Sequence, residues 1–302
     1  MSSEEMHRAF PENLLENAPL AQYTAARIGG PAQYLLTVHS AGELAKAVEL
    51  LWEMGREFRV LGGGSNVLVA DKGVSGVVLL NQAKQVKFVA DGVRALSGAS
   101  LSSVARRAVD RGLSGMEWAA PVPGTIGGAI VGNAGAHGSD TADSLETAVV
   151  IHREQGRAVW SPERLEFGYR TSWFKRNPGE AVVESGQFHL EPSDPVETRG
   201  RMEEFIDYRQ QTQPTGASIG SMFKNPPDAH AGRLIDAAGL KGERRGEAEI
   251  SDKHANFFIN RGGASAADVY GLIQLARQRV ADEFGVELEL EVELIGDWEG
   301  NG

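Results

Sequence analysis

The sequence contains no cysteine. Disulfides, thiolate metal sites and cysteine nucleophiles are thereby excluded, no metal site is expected, and any redox chemistry must reside on a bound cofactor. Positive charge is also in short supply: 30 Lys and Arg stand against 41 Asp and Glu, a formal net charge of −11. Binding to duplex nucleic acid relies on clustered cations that replace phosphate counterions, so this balance argues against such a partner. Small anions stay open, because a focused pocket can be positive on an acidic protein. Arg27, Arg170, Arg209, Lys224, Lys241, Arg244, Arg245 and Lys253 supply the local cations. No apolar run approaches the ~20 residues that cross a bilayer, so membrane insertion is not expected. The start, Met1-Ser2-Ser3-Glu4-Glu5, has no basic segment leading into an apolar one, so no secretory signal is expected and a cytoplasmic location is.

What is present suits a multidomain globular chain: 302 residues, 41% apolar and 24% charged, with no internal repeat or low-complexity tract. Residues 41–54 carry Leu44, Val48, Leu51 and Trp52 at helical spacing, and Gly55 can close the helix. Short strands are predicted at 58–61, 67–69 and 77–80. A hairpin is expected over 86–96, with Asp91-Gly92 supplying the positive backbone angles of its turn. A helix over 101–111 ends at Gly112. Strands follow at 145–151, 158–160 and 181–190, and residues 191–195, rich in proline, read as a linker. Helices are expected over 196–211, 232–238 and 266–284, the last with a Ser265–Asp268 capping box and Gly285 at its end. Residues 286–295 alternate charged and apolar side chains, the pattern of a one-faced strand.

Four segments carry the chemical signal. Gly220-Ser221-Met222-Phe223-Lys224-Asn225-Pro226 places a hydroxyl, a cation and an amide in one turn-sized stretch bounded by apolar side chains, as a site that excludes water requires. Gly62-Gly63-Gly64-Ser65-Asn66 follows a strand, where bare backbone N–H groups can surround a pyrophosphate. It lacks the Gly-x-Gly-x-x-Gly spacing onto a helix, so a nicotinamide cofactor held in the Rossmann manner is not expected. Pro123-Gly124-Thr125-Ile126-Gly127-Gly128-Ala129 is the second glycine loop, and Tyr169-Arg170-Thr171-Ser172 offers a guanidinium for a carboxylate.

In order and spacing, these segments resemble the UDP-N-acetylenolpyruvoylglucosamine reductase family, from about Thr24 to Gly296, in its shorter class without a substrate-capping tyrosine loop. The resemblance implies an α+β chain: a vanillyl-alcohol-oxidase-like (PCMH-type) FAD-binding fold of two subdomains, plus a C-terminal α+β substrate domain. The implied domains are residues 1–80 joined by 286–302, then 81–195, then 196–285. It implies NADPH-dependent reduction of an enolpyruvyl nucleotide-sugar in peptidoglycan precursor synthesis. Gly62, Gly63, Gly64, Ser65, Asn66, Pro123, Gly124, Thr125, Gly127, Gly128, Asn133 and Gly135 would lie on FAD. Covalently flavinylated relatives attach through histidine or cysteine, and Ser65-Asn66 stands in the first loop here, so FAD is expected to bind noncovalently. Arg170, Ser221 and Glu291 take the catalytic roles, and Arg209, Asn225 and Lys241 the substrate contacts. His254 reads as a structural histidine, and a monomer or weak oligomer is expected.

The residues alone leave rivals. Arg170 could be a surface ion pair, Ser221 a turn hydroxyl and Glu291 one more solvated carboxylate among Glu287, Glu289 and Glu293. Leu290 stands where the family has proline, which keeps Glu289 as a second candidate. Another FAD oxidase or dehydrogenase of the same superfamily, or a noncatalytic nucleotide-binding protein, are the competing functions.

Overall fold

The structure, a computed structural model, describes residues 3–298. Its contacts form two compact units. The first gathers the residues up to Glu16, Tyr34–Gly63 and Gly76–Tyr208, and the second gathers Asn17–Gln33, Gly64–Ser75 and the chain from Arg209 onward. These boundaries differ from the expected ones at residues 80 and 195.

The first unit is built on a five-stranded antiparallel sheet with the order Gly156–Trp160, Leu145–His152, Ala181–His189, Gly92–Leu96, Val86–Val89. Against it lie the helices Leu101–Val109 and Ile126–Gly132, whose Val104, Ala108, Ile126 and Ile130 share a core with Val93, Val150 and Phe188. Gly186 admits the second helix, because a Cβ there would meet Ile130 Cδ1 at 2.8 Å. A separate core forms where the helix Ala41–Glu53 buries Leu44, Val48 and Leu51 beside Tyr34, Leu36, Val77 and Leu79. There Phe58–Leu61 pairs in parallel with residues 77–80.

Two local expectations need correction. Val89 pairs with Gly92, so the hairpin loop is Ala90-Asp91, and none of Ala90, Asp91 or Gly92 has a positive φ. Gly92 is required for another reason: a Cβ there would run into the carbonyl oxygen of Phe188 on the neighbouring strand. Nor do residues 191–195 form a linker. Glu191–Pro192 pairs with Leu113–Ser114, and Asp194 caps the helix Pro195–Thr212 by accepting Val196 N–H at 2.8 Å. The chain therefore stays in the first unit as far as Tyr208.

In the second unit the helices Ala231–Ala237 and Ala266–Phe284 cover a three-stranded antiparallel sheet of order Arg244–Arg245, Ala248–Ile250, Phe258–Asn260. The long helix starts at the expected capping box and ends at Gly285, φ 66°. Its first N–H groups gain a second acceptor, as Asp71 takes those of Ala266 at 2.7 Å and Ala267 at 2.8 Å. Glu293–Ile295 pairs in parallel with Val67–Val69. The expected strand over 286–295 shrinks to those three residues. Among the described residues no helix is long and apolar enough to cross a membrane.

Candidate active site

Ser221 begins an extended segment held on both sides within the second unit. On one side it forms an antiparallel bridge with Phe257, and Met222 N–H donates to Asn256 O at 2.8 Å. On the other, Glu291 N–H donates to Met222 O at 3.0 Å and Lys224 N–H to Glu289 O at 2.9 Å. Ser221 and Glu291 are thus brought together through the backbone of Met222, which is fully buried. Asn66 adds a third tie, donating its side-chain amide to Glu291 O at 3.1 Å while its own carbonyl accepts Glu293 N–H at 3.0 Å.

Burial separates the four glutamates that the alternation could not. Glu287, Glu289 and Glu293 are exposed, whereas Glu291 is half-buried. Glu289 has its side chain 73% exposed and is ion-paired with Lys224. Of the four, Glu291 is the one partly withdrawn from solvent.

The expected substrate contacts are differently placed. Arg209 is half-buried and forms no ion pair among the described residues, and burial holds its guanidinium below the usual arginine value, which leaves an uncompensated cation suited to an anion. Lys241 is tied to Asp236 at 2.7 Å. Asn225 is exposed, and its Oδ1 accepts Ala231 N–H at 3.1 Å at the start of a helix. Burial, with the Lys241 charge, pushes the His254 imidazole below its usual value, and its Nδ1 accepts Asn256 N–H at 3.3 Å.

In the first unit Gly62 and Gly63 face Gly124 and Thr125. A Cβ on Gly62 would clash with Thr125 Oγ1, so that glycine serves the packing of the two loops. Gly63 and Gly128 are different. Neither has a positive φ, both are exposed, and a Cβ on either would meet nothing closer than 3.5 Å. The protein itself does not demand glycine at these two positions, which fits a bulky group such as a diphosphate lying against their bare backbone. Gly64, at φ 59°, is required in the second unit by the carbonyl of Tyr23. Gly127 N–H is already given to Ser97 O at 2.8 Å, and Gly135 packs on Asp140. Ser65 is half-buried and Pro123 exposed.

Arg170 occupies a tight turn in which Gly168 and Thr171 exchange both backbone bonds, and its φ is 57°. A left-handed arginine is uncommon, and such strain is typical of residues aimed by their surroundings. Asn133, at φ 43°, anchors that turn by donating to Gly168 O at 3.2 Å and to Asp140 Oδ2 at 2.9 Å, and it accepts Ala142 N–H at 3.1 Å. Its side chain is therefore committed to the fold of the loops. Ahead of the second glycine loop, the Glu117 carboxylate holds Ser114, Gly115 N–H and Arg201. Burial pushes that carboxyl up, but bonds from Arg201, Gly115 N–H and Ser114 outweigh burial and leave it below the usual range.

Sequence reasoning missed Asn256, which lies 3% exposed and bonds the backbone of Phe223 twice with its side chain, at 2.9 and 2.8 Å. Nothing local marks it, because its partner lies 33 residues away.

This architecture is that of an FAD-binding oxidoreductase: an FAD binding domain is matched over residues 32–161. The C-terminal domain of UDP-N-acetylenolpyruvoylglucosamine reductase is matched over residues 210–295. The UDP-N-acetylenolpyruvoylglucosamine reductase of Rubrobacter xylanophilus is 44% identical over 97% of this chain and 98% of its own. That of Chloroflexus aggregans is 42% identical over 96% of this chain and 100% of its own. The crystal structure of the enzyme from Thermus caldophilus superposes with a TM-score of 0.80 at 38% identity, covering 93% of this chain and 98% of that one. The chain belongs to the UDP-N-acetylenolpyruvoylglucosamine reductase family.

Proposed function

We infer that this chain reduces the enolpyruvyl group of UDP-N-acetylglucosamine enolpyruvate to UDP-N-acetylmuramate, with NADPH as reductant, and that Arg170, Ser221 and Glu291 carry the chemistry. The observation that supports these roles most directly is the joining of the Ser221 and Glu291 segments through Met222, with Glu291 half-buried where its three alternating neighbours are exposed.

When bound, FAD would supply the hydride-transfer chemistry between NADPH and the terminal vinyl carbon. Hydride addition leaves carbanion character on the adjacent carbon, delocalised into the carboxylate as an enolate. Arg170 pairs with that carboxylate, since a guanidinium remains protonated and binds carboxylates bidentately. Ser221 Oγ gives its proton to the carbanionic carbon. A hydroxyl is a weak acid, but a carbon base in a site without bulk water is strong enough to take its proton. Glu291 stabilises the enolate oxygen through a shared proton that is not consumed. One hydride and one proton are thus added across the double bond.

Gly62, Gly63, Gly64, Ser65, Pro123, Gly124, Thr125, Gly127 and Gly128 make up the FAD loops in this reading, and FAD is held without a covalent bond. Asn66 ties the first loop to Glu291, Asn133 holds the turn of Arg170, and Gly135 packs on Asp140 beside it. Arg209 meets an anionic part of the nucleotide-sugar, and Asn225 and Lys241 border it. The half-buried charge of Arg209, which has no ion pair among the described residues, supports its part. A cytoplasmic location and a monomeric or weakly associating chain accompany this reading. The test is colour: the yellow protein should bleach with NADPH and regain its colour on adding the enolpyruvyl nucleotide-sugar. Recolouring by oxygen alone, with no response to that substrate, would favour an oxidase.

A further inference from the structure

We propose that Asn256 is the positioning residue for the Ser221 proton donor; this rests on the reading of Ser221 given above. Its side-chain amide accepts Phe223 N–H at 2.9 Å and donates to Phe223 O at 2.8 Å. It thereby reproduces with one side chain the two-bond pairing that a neighbouring strand residue makes. Its own carbonyl takes Met222 N–H at 2.8 Å, so one residue satisfies three of the four backbone polar groups of Met222 and Phe223. Phe257, the next residue, bridges Ser221 itself.

Asn256 is in turn held from below. His254 Nδ1 accepts its N–H at 3.3 Å, and Ser251 Oγ accepts the N–H groups of Lys253 and His254 at 3.1 and 3.3 Å. Opposite, the segment is pinned by Glu291, whose N–H donates to Met222 O, and by Glu289, whose carbonyl accepts Lys224 N–H. The result is a serine whose backbone is fixed between two anchored stretches of chain, next to the buried Met222 and Phe223. The amide donates with its NH₂ and accepts with its oxygen at once, and a buried Phe223 N–H or C=O left without a partner would be costly. A misplacement of about 1 Å at a reacting group costs on the order of 10²-fold in rate. Asn256 therefore acts through Ser221 and leaves the acceptance of hydride from NADPH untouched.

The experiment compares the two half-reactions by rapid mixing for wild type, Ser221→Ala, Asn256→Ala and the double variant. Asn256→Ala is expected to keep its FAD and its rate of reduction by NADPH, and to slow reoxidation by the enolpyruvyl nucleotide-sugar on the order of 10²-fold. In the Ser221→Ala background it should add no further loss, since the group it positions is gone. Equal damage to both half-reactions, or full additivity in the double variant, overturns the inference. If Ser221→Ala alone leaves reoxidation intact, the serine reading itself has failed and the inference falls with it. Should Asn256→Ala not accumulate as folded protein, Asn256→Asp serves in its place, keeping the acceptor for Phe223 N–H but not the donor. Wild-type reoxidation in that variant also overturns the inference.

Discussion

Asn66 donates its side-chain amide to the backbone carbonyl of Glu291, 3.1 Å away across 225 residues of sequence. The residue that ends the first glycine loop thus fixes the segment bearing the acidic member of the proposed catalytic trio. The bond reaches the backbone of Glu291 and leaves its carboxyl to other partners. That division motivates the first prediction.

Glu291→Gln is expected to lower substrate-dependent flavin reoxidation on the order of 10²-fold at unchanged FAD content. Glu287→Gln and Glu293→Gln should change little, as both side chains are exposed. Glu289→Gln should also change little, because its exposed carboxylate only pairs with Lys224. Half-reaction rates for the four variants decide this, and a larger defect in Glu289→Gln would move the role there.

The glycines of the first loop should separate cofactor from fold. Gly63→Val is expected to give folded but colourless protein, since the protein leaves room for a Cβ and the diphosphate does not. Gly64→Ala should instead lower the melting temperature, because φ 59° and the Tyr23 carbonyl oppose any side chain whether or not FAD is present. Flavin absorbance and thermal unfolding measured together distinguish the two. Normal FAD content in Gly63→Val would displace the cofactor from this loop.

Denaturation should release intact FAD into the filtrate, as the chain has no cysteine and presents Ser65 and Asn66 at the first loop. Flavin absorbance remaining with the unfolded polypeptide would contradict noncovalent binding.

His254 gives a pH dependence with a definite sign. Burial lowers its folded pKa below the unfolded value of 6.5, so the unfolded chain binds more protons between the two values. Its contribution to stability is complete above the unfolded value and is lost as pH falls through that window. Protonation would also remove the Nδ1 acceptor used by Asn256 N–H. Urea midpoints should therefore fall less on acidification in His254→Asn than in wild type, and identical pH profiles would remove His254 from this role.

What the sequence could reveal depended on how local the cause was. The helix Ala266–Phe284 is legible to the residue, because its capping box and its terminal glycine lie within the element itself. Residues 286–292 mislead, because Glu-Leu alternation mimics a strand while the segment makes only a bridge at Leu290 to Phe223 before its strand begins at Glu293. Asp91-Gly92 carries a turn signature, yet Gly92 is there for the close approach of Phe188 from a strand about a hundred residues on. The proposal of Arg170, Ser221 and Glu291 comes from their motifs and the family resemblance. Burial adds support for Glu291 over Glu289, and Asn256 needed a partner far away in sequence, neither of which a local pattern encodes.

The central claim is that Ser221 supplies the proton after hydride has reached the substrate. Rapid mixing of Ser221→Ala tests it most directly. Reduction by NADPH should proceed at nearly the wild-type rate, while reoxidation by the enolpyruvyl nucleotide-sugar should slow by roughly 10²–10⁴-fold, with Ser221→Cys retaining more than Ser221→Ala because a thiol can still donate. Equal slowing of both half-reactions, or reoxidation at the wild-type rate, would contradict it and leave Ser221 as a structural hydroxyl.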